Sequence, residues 1–183
     1  MFNRHLIVAF IILGFSFLLL LVAGGVMLYE KLAVTDTYQV FITGWVMTLF
    51  LILAGITLCL FFLYQIIVIT FINPSKLKKK IVFRWRIVGV AVLFVTLFLI
   101  NRTSSFVFSN VQDMKDYENG DLGVENLRIV DIYKGNQTIS RIIETEKGDF
   151  YMPWYVHQIE EGNMYRFTYL KRSKHILNIE DIH

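Results

Sequence analysis

Two apolar runs constrain this chain before anything else does. Residues 6–28 are interrupted only by small or weakly polar side chains such as Ser16, Gly24 and Gly25, and residues 41–72 are apolar over a still longer stretch. At about 1.5 Å of rise per residue, the first run as a helix crosses a hydrocarbon core about 30 Å thick. It is longer than the apolar region of a cleaved signal peptide, and no small-x-small cleavage site follows it. The second run would measure roughly 48 Å as a straight helix, so it must tilt, protrude or break, and protrusion is expected, with residues 66–72 as a stub at the headgroups. Asn73-Pro74 ends it, because proline lacks an amide donor and disfavours helix in the residue before it. A third run, residues 87–100, extends back through Trp85 and Ile81 and forward to Phe108, with Arg84 and Arg86 able to snorkel to the interface. Three spanning helices in residues 1–108 are the expectation, in contact with a lipid bilayer. A chain that is 55% hydrophobic with only 18% charged residues is too apolar for one soluble domain.

Charge divides the chain in two. Residues 1–100 carry eight Lys or Arg and two Asp or Glu; the rest carries ten basic and thirteen acidic side chains. The basic excess is concentrated in the loop 73–86, where Lys76, Lys78, Lys79, Lys80, Arg84 and Arg86 stand without an acidic neighbour. Loops of this kind are retained on the cytoplasmic side, and these six residues are read as the topology determinants. The loop between the first two runs, with Lys31 against Glu30 and Asp36, suits the outer side. Arg4 suits an inner N-terminus. Three crossings then put everything after about Phe108 outside, in a multi-pass cell-membrane protein. The position of the basic cluster between two spans argues against nucleic-acid binding.

Cys59 is the only cysteine and lies in an apolar run, which excludes an intramolecular disulfide and a cysteine-based zinc site. Residues 109–126 read as a solvated acidic linker, with Asp113, Asp116, Glu118, Asp121 and Glu125, and with turns at Gly120 and Gly123. Its spacing does not supply an EF-hand register, and no metal or cofactor is expected. From Leu127 the pattern becomes five short β-segments, at 127–133, 138–146, 150–156, 164–170 and 175–182, separated by turn residues. The expected fold is therefore three transmembrane α-helices followed by a C-terminal all-β small barrel at 127–183, OB-like or SH3-like. So small a domain without disulfides must lean on its core, its tether or a partner.

The run Gly148-x-Phe150, then Ile159-x-x-Gly162-x-x-Tyr165-Arg166-Phe167, then Leu177-x-Ile179, resembles the final strands of the small OB-type barrels appended to membrane spans in NfeD-like proteins. The glycine-rich first strand of that family is missing here, and the spans are arranged differently. The resemblance implies an OB-type fold, and a role as a partner of other membrane proteins rather than as a catalyst.

The residues themselves point the same way. Neither Ser140 nor Ser173 stands in a nucleophile-elbow frame, and His157, His175 and His183 are too far apart in sequence to read as a ligand set, so all three are expected to be structural or solvated. No carboxylate, lysine or histidine lies mid-span to relay protons. The most suggestive feature is the cluster Phe150, Tyr151, Met152, Pro153, Trp154 and Tyr155. Strand alternation turns Phe150, Met152 and Trp154 to one side and Tyr151 and Tyr155 to the other, making those two tyrosines the candidate binding residues. The expectation is a non-enzymatic membrane accessory protein whose outer β-domain binds a membrane or envelope protein, as a subunit, assembly factor or immunity-type protector. An envelope-polymer binding module is the alternative, and a membrane-bound hydrolase has least support. Homo-oligomerisation is open. The disulfide-free outer domain and the abundance of Phe, Ile and Lys favour a bacterial origin, although Asn101-Arg102-Thr103 and Asn136-Gln137-Thr138 match the glycosylation sequon.

Overall fold

The computed structural model describes residues 2–72, 74–76, 78–133, 140–153 and 159–182. Among these, three helices are long and apolar enough to cross a membrane: α1 (Phe2–Ala33), α2 (Thr37–Ile67) and α3 (Lys79–Glu118). They are followed by β1 (Gly123–Tyr133), β2 (Ser140–Thr145), β3 (Gly148–Pro153), β4 (Met164–Tyr169) and β5 (Ile176–Asp181). The chain divides into two compact units, Met1–Tyr29 with Val46–Ser105, and Glu30–Trp45 with Phe106–His183. Trp154, Tyr155, His157, His183 and the expected turn at 134–137 lie outside the described residues.

The first unit is helical, with exposed Phe10, Phe17, Leu21, Phe83, Phe94 and Phe98 among its outward side chains, as suits contact with lipid. Two of its polar contacts join separate helices. Ser16 donates to the Ala54 carbonyl at 2.9 Å, and His5 Nδ1 lies 2.8 Å from the Tyr64 hydroxyl. Past Ile67 the second helix widens into a π-turn, Val68–Ile72. At this end Arg86 donates to the Thr70 carbonyl at 3.0 Å and lies over the Phe71 ring, Gly89 leaves room for the Ile66 side chain, and Ile67, Ile69, Phe71 and Ile72 are exposed.

In the second unit, β1 is long enough to serve two neighbours. Its first half, Gly123–Arg128, pairs with β4, and its second half, from Ile129 on, pairs with β2 across an irregularity between Ile129 and Asp131 that leaves Val130 outside the register. The sheet order is β3-β2-β1-β4-β5, with all neighbours antiparallel. A parallel bridge from Tyr151 to His175, with the Tyr151 amide donating to the Lys174 carbonyl at 3.0 Å, brings the two edges together. An open five-stranded antiparallel sheet curled this way is barrel-like, as expected for the C-terminal region. Inside it Leu127, Ile143, Phe150, Met152, Phe167 and Ile176 are buried, so the alternation expected for the aromatic strands holds wherever it is described.

The acidic linker expected at 109–126 has a different structure. Helix α3 runs on to Glu118 and closes in a Schellman motif, with Asp121 N–H donating to Asp116 O and Gly120 N–H to Tyr117 O, Gly120 taking the left-handed φ of 71°. The first strand then starts at Gly123, four residues before the expected start, with the Tyr169 ring lying where a β-carbon at Gly123 would go. Three of the acidic residues face the β4–β5 turn. Both carboxylate oxygens of the buried Asp113 accept turn amides, from Arg172 at 3.0 Å and Ser173 at 2.7 Å, while Asp116 pairs with Arg172 and Asp121 with Lys171. Asp113 and Asp116 lie three residues apart on one helical face, and Tyr117 on the same face stacks on Tyr38 of α2.

Candidate functional site

The outer face of β1, β2 and β3 carries an aromatic rung. Tyr133 is paired with Ile142 and Ile142 with Tyr151, so the three side chains stand side by side across adjacent strands, about 5 Å apart. Tyr133 and Tyr151 are about half exposed, at 49% and 43%, while Ile142 between them is half-buried. The strands turn Phe150, Met152 and Ile143 inward, and that burial is what obliges Tyr151 and Ile142 to face out. Tyr151 is thus where strand alternation puts it. Tyr155, its expected companion, lies outside the described residues, and the structure supplies Tyr133 and Ile142 as neighbours instead.

Two residues along each strand stands a second rung, Asp131, Glu144 and Asp149, on the same face. Among the described residues none of these carboxylates has a salt bridge. The Tyr133 hydroxyl donates to Glu144 Oε2 at 2.8 Å, and that hydrogen bond, with the charges of Glu144 and Asp131, pushes the phenol up to about 12. The hydroxyl is thereby held as a donor to Glu144, which orients the ring. Asp131 Oδ1 accepts its neighbour's amide, Ile132 N–H, at 2.7 Å. Lys147 is engaged elsewhere, on Glu125 at 2.6 Å, which raises the lysine and lowers the carboxylate. The face is therefore aromatic at one rung and anionic at the next.

Compared with protein-family models, with curated proteins and with solved structures, the chain matches none.

The remaining sequence candidates are dispersed. His175 is buried, its Nε2–H donating to the Thr37 carbonyl at 3.3 Å and its ring tilted against Phe41 at 5.5 Å. Burial pushes it down to about 4, against the smaller opposing effects of the Thr37 carbonyl and the Asp113 charge. The Ser173 hydroxyl is buried and has no hydrogen-bond partner among the described residues, and its backbone amide belongs to Asp113. Among the described residues no three His, Cys, Asp or Glu side chains converge on a metal position. Of the basic residues, Lys78, Lys79, Lys80 and Arg84 are exposed, whereas Arg86 is committed to Thr70 and Phe71; the Lys76 side chain is not described. Tyr133 on β1 and Ile142 on β2 become neighbours only through the pairing of the two strands, which no local pattern displays. The alternation through Asp131 and Tyr133, with Ile132 between them, was the available signal for Tyr133.

Proposed function

We propose that this protein is a non-enzymatic membrane accessory protein whose β-domain, on the outer side of the membrane, docks another protein on the face formed by Tyr133, Ile142 and Tyr151. The observation that carries the reading is the rung itself, with two half-exposed tyrosines flanking an aliphatic side chain on a face backed by a packed core. Rigid tyrosines offer large contact area at small conformational cost, which suits protein recognition. The acidic rung beside them favours a partner segment bearing lysine or arginine, since a cation there meets both carboxylates and ring faces. It also disfavours an anionic envelope polymer, the alternative ligand class. The outer location rests on the basic residues between the second and third helices.

The test uses the full chain in mild detergent, because the β-domain is bonded to the ends of α2 and α3 by Thr37, Asp113 and Asp116. A partner co-purifying stoichiometrically with wild type should be lost from the Tyr133→Ala/Tyr151→Ala variant while thermal unfolding stays unchanged. Undiminished co-purification would remove this face from consideration. Retention of the wild-type chain on purified cell-wall material, with no protein partner, would favour the polymer reading.

A further inference from the structure

His175 occupies the point where three parts of the second unit meet. It follows the β4–β5 turn that Asp113 of α3 holds, it forms the bridge to Tyr151 that joins β3 to β5, and it hydrogen-bonds to the first residue of α2. Beside it Thr37 donates its hydroxyl to the Leu177 carbonyl at 2.8 Å. The first turn of α2 is thus fastened to the start of β5, at the seam where the sheet closes. We propose that His175 is an acid-sensitive latch, whose protonation releases the first turn of α2 from β5 and loosens the β3–β5 seam.

Burial decides the direction, and the charges around the ring do not reverse it. On the α2 side His175 meets the Thr37 carbonyl and the Phe41 ring, neither of which titrates, and it lies at a helix N-terminus, whose positive dipole end disfavours a second positive charge. Asp36, before that helix, has its carboxylate committed to capping the Gln39 amide at 2.9 Å. Helix α3 presents Asp113, whose charge favours an imidazolium, but both its oxygens are occupied by the turn amides. In the preceding turn Arg172 pairs with Asp116, and Lys174 reaches the Lys147 carbonyl. On β3, Tyr151 contributes its backbone bridge. Burial dominates these effects, and an imidazolium gains most by reaching water, which requires α2 and β5 to part.

The closed junction holds His175 neutral down to about pH 4, whereas an opened one lets it titrate near its ordinary 6.5. Between those values the open form binds the extra proton. Stability of the junction is complete above pH 6.5 and falls as the pH drops towards 4, by up to about tenfold per pH unit in the closing equilibrium. This latch is independent of what docks on the tyrosine face.

Amide hydrogen exchange on the full chain in detergent micelles tests the proposal. In wild type, protection of segments 37–41 and 175–177, corrected for the intrinsic pH dependence of exchange, should fall between pH 6.5 and 4.5. In His175→Gln, which keeps a side-chain donor for Thr37 but cannot charge, it should stay level. A level wild-type profile, or a parallel fall in the variant, would overturn the latch. Should the variant not fold, the histidine ring resonances of the wild-type chain decide: titration of His175 near 4 supports the proposal, and titration at 6.5 or above defeats it.

Discussion

The Ser173 amide donates to Asp113 across sixty residues of sequence, at 2.7 Å, and the Arg172 amide takes the other oxygen of the same carboxylate. A fully buried carboxylate holding two successive turn amides replaces a helix-to-strand linker with a fixed joint. Asp113→Ala should therefore cost about 3 kcal/mol, since it leaves two amides without a partner and strips Arg172 of one of its two anions. Asp113→Asn, which keeps one acceptor, should cost less. Proteolysis of the full chain in micelles checks this: the alanine variant should be cut in the β4–β5 turn well before wild type, with the asparagine variant between them.

Phe167 is fully buried and stacks near Phe150 with 6.1 Å between centroids. Truncation to alanine should cost about 3 to 5 kcal/mol, comparable with the entire stability of a small domain, and should lower accumulation. Tyr151→Ala, from the opposite face of β3, should change the unfolding midpoint little. Equal destabilisation by the two would mean that the Tyr151 ring is part of the packing.

A β-carbon at Gly123 would come within 2.5 to 2.9 Å of the Tyr169 ring, which packs edge-on against Phe150. Gly123→Ala should displace that ring and cost about 1 to 3 kcal/mol. Gly123→Ala combined with Tyr169→Leu, which removes the obstructing ring, should recover part of the loss relative to Tyr169→Leu alone. Additive losses in the double variant would show that the ring is not what excludes the methyl group.

The proposed orientation is open to labelling. Ser173 is a poor reporter because its hydroxyl is buried, whereas Glu161 lies in an exposed turn. A cysteine at Glu161 should react with an impermeant thiol reagent in intact cells, and one at Ser75 should react only after permeabilisation. The reverse pattern would put the β-domain in the cytoplasm. Neutralising Lys76, Lys78, Lys79 and Lys80 together should mix the two patterns.

How far the sequence could be read depended on whether a pattern expressed burial or pairing. Strand alternation groups Phe150 and Met152 on one side, and both are buried. Residues 109–118 read as a linker because the stripe that makes them one face of α3 is polar, and a helix shows itself in sequence through an apolar stripe. Tyr151 was legible as outward-facing, but its neighbours were not, since Tyr133 and Ile142 join it only through the register of two hairpins.

What the sequence determined by itself is everything that hydropathy and period express locally: three apolar helices, five strands, and which side of the aromatic strands is buried. Each depends on the free energy of placing a side chain in water or out of it, a property of residue type and spacing. Only the tertiary structure decided that β1 serves both β2 and β4, that His175 lies beneath the first turn of α2, and that Asp113 holds the β4–β5 turn. Those are pairings of hydrogen-bonding groups far apart in the chain, and any exposed carboxylate or histidine is equally content in water until packing removes the water and leaves one partner in reach.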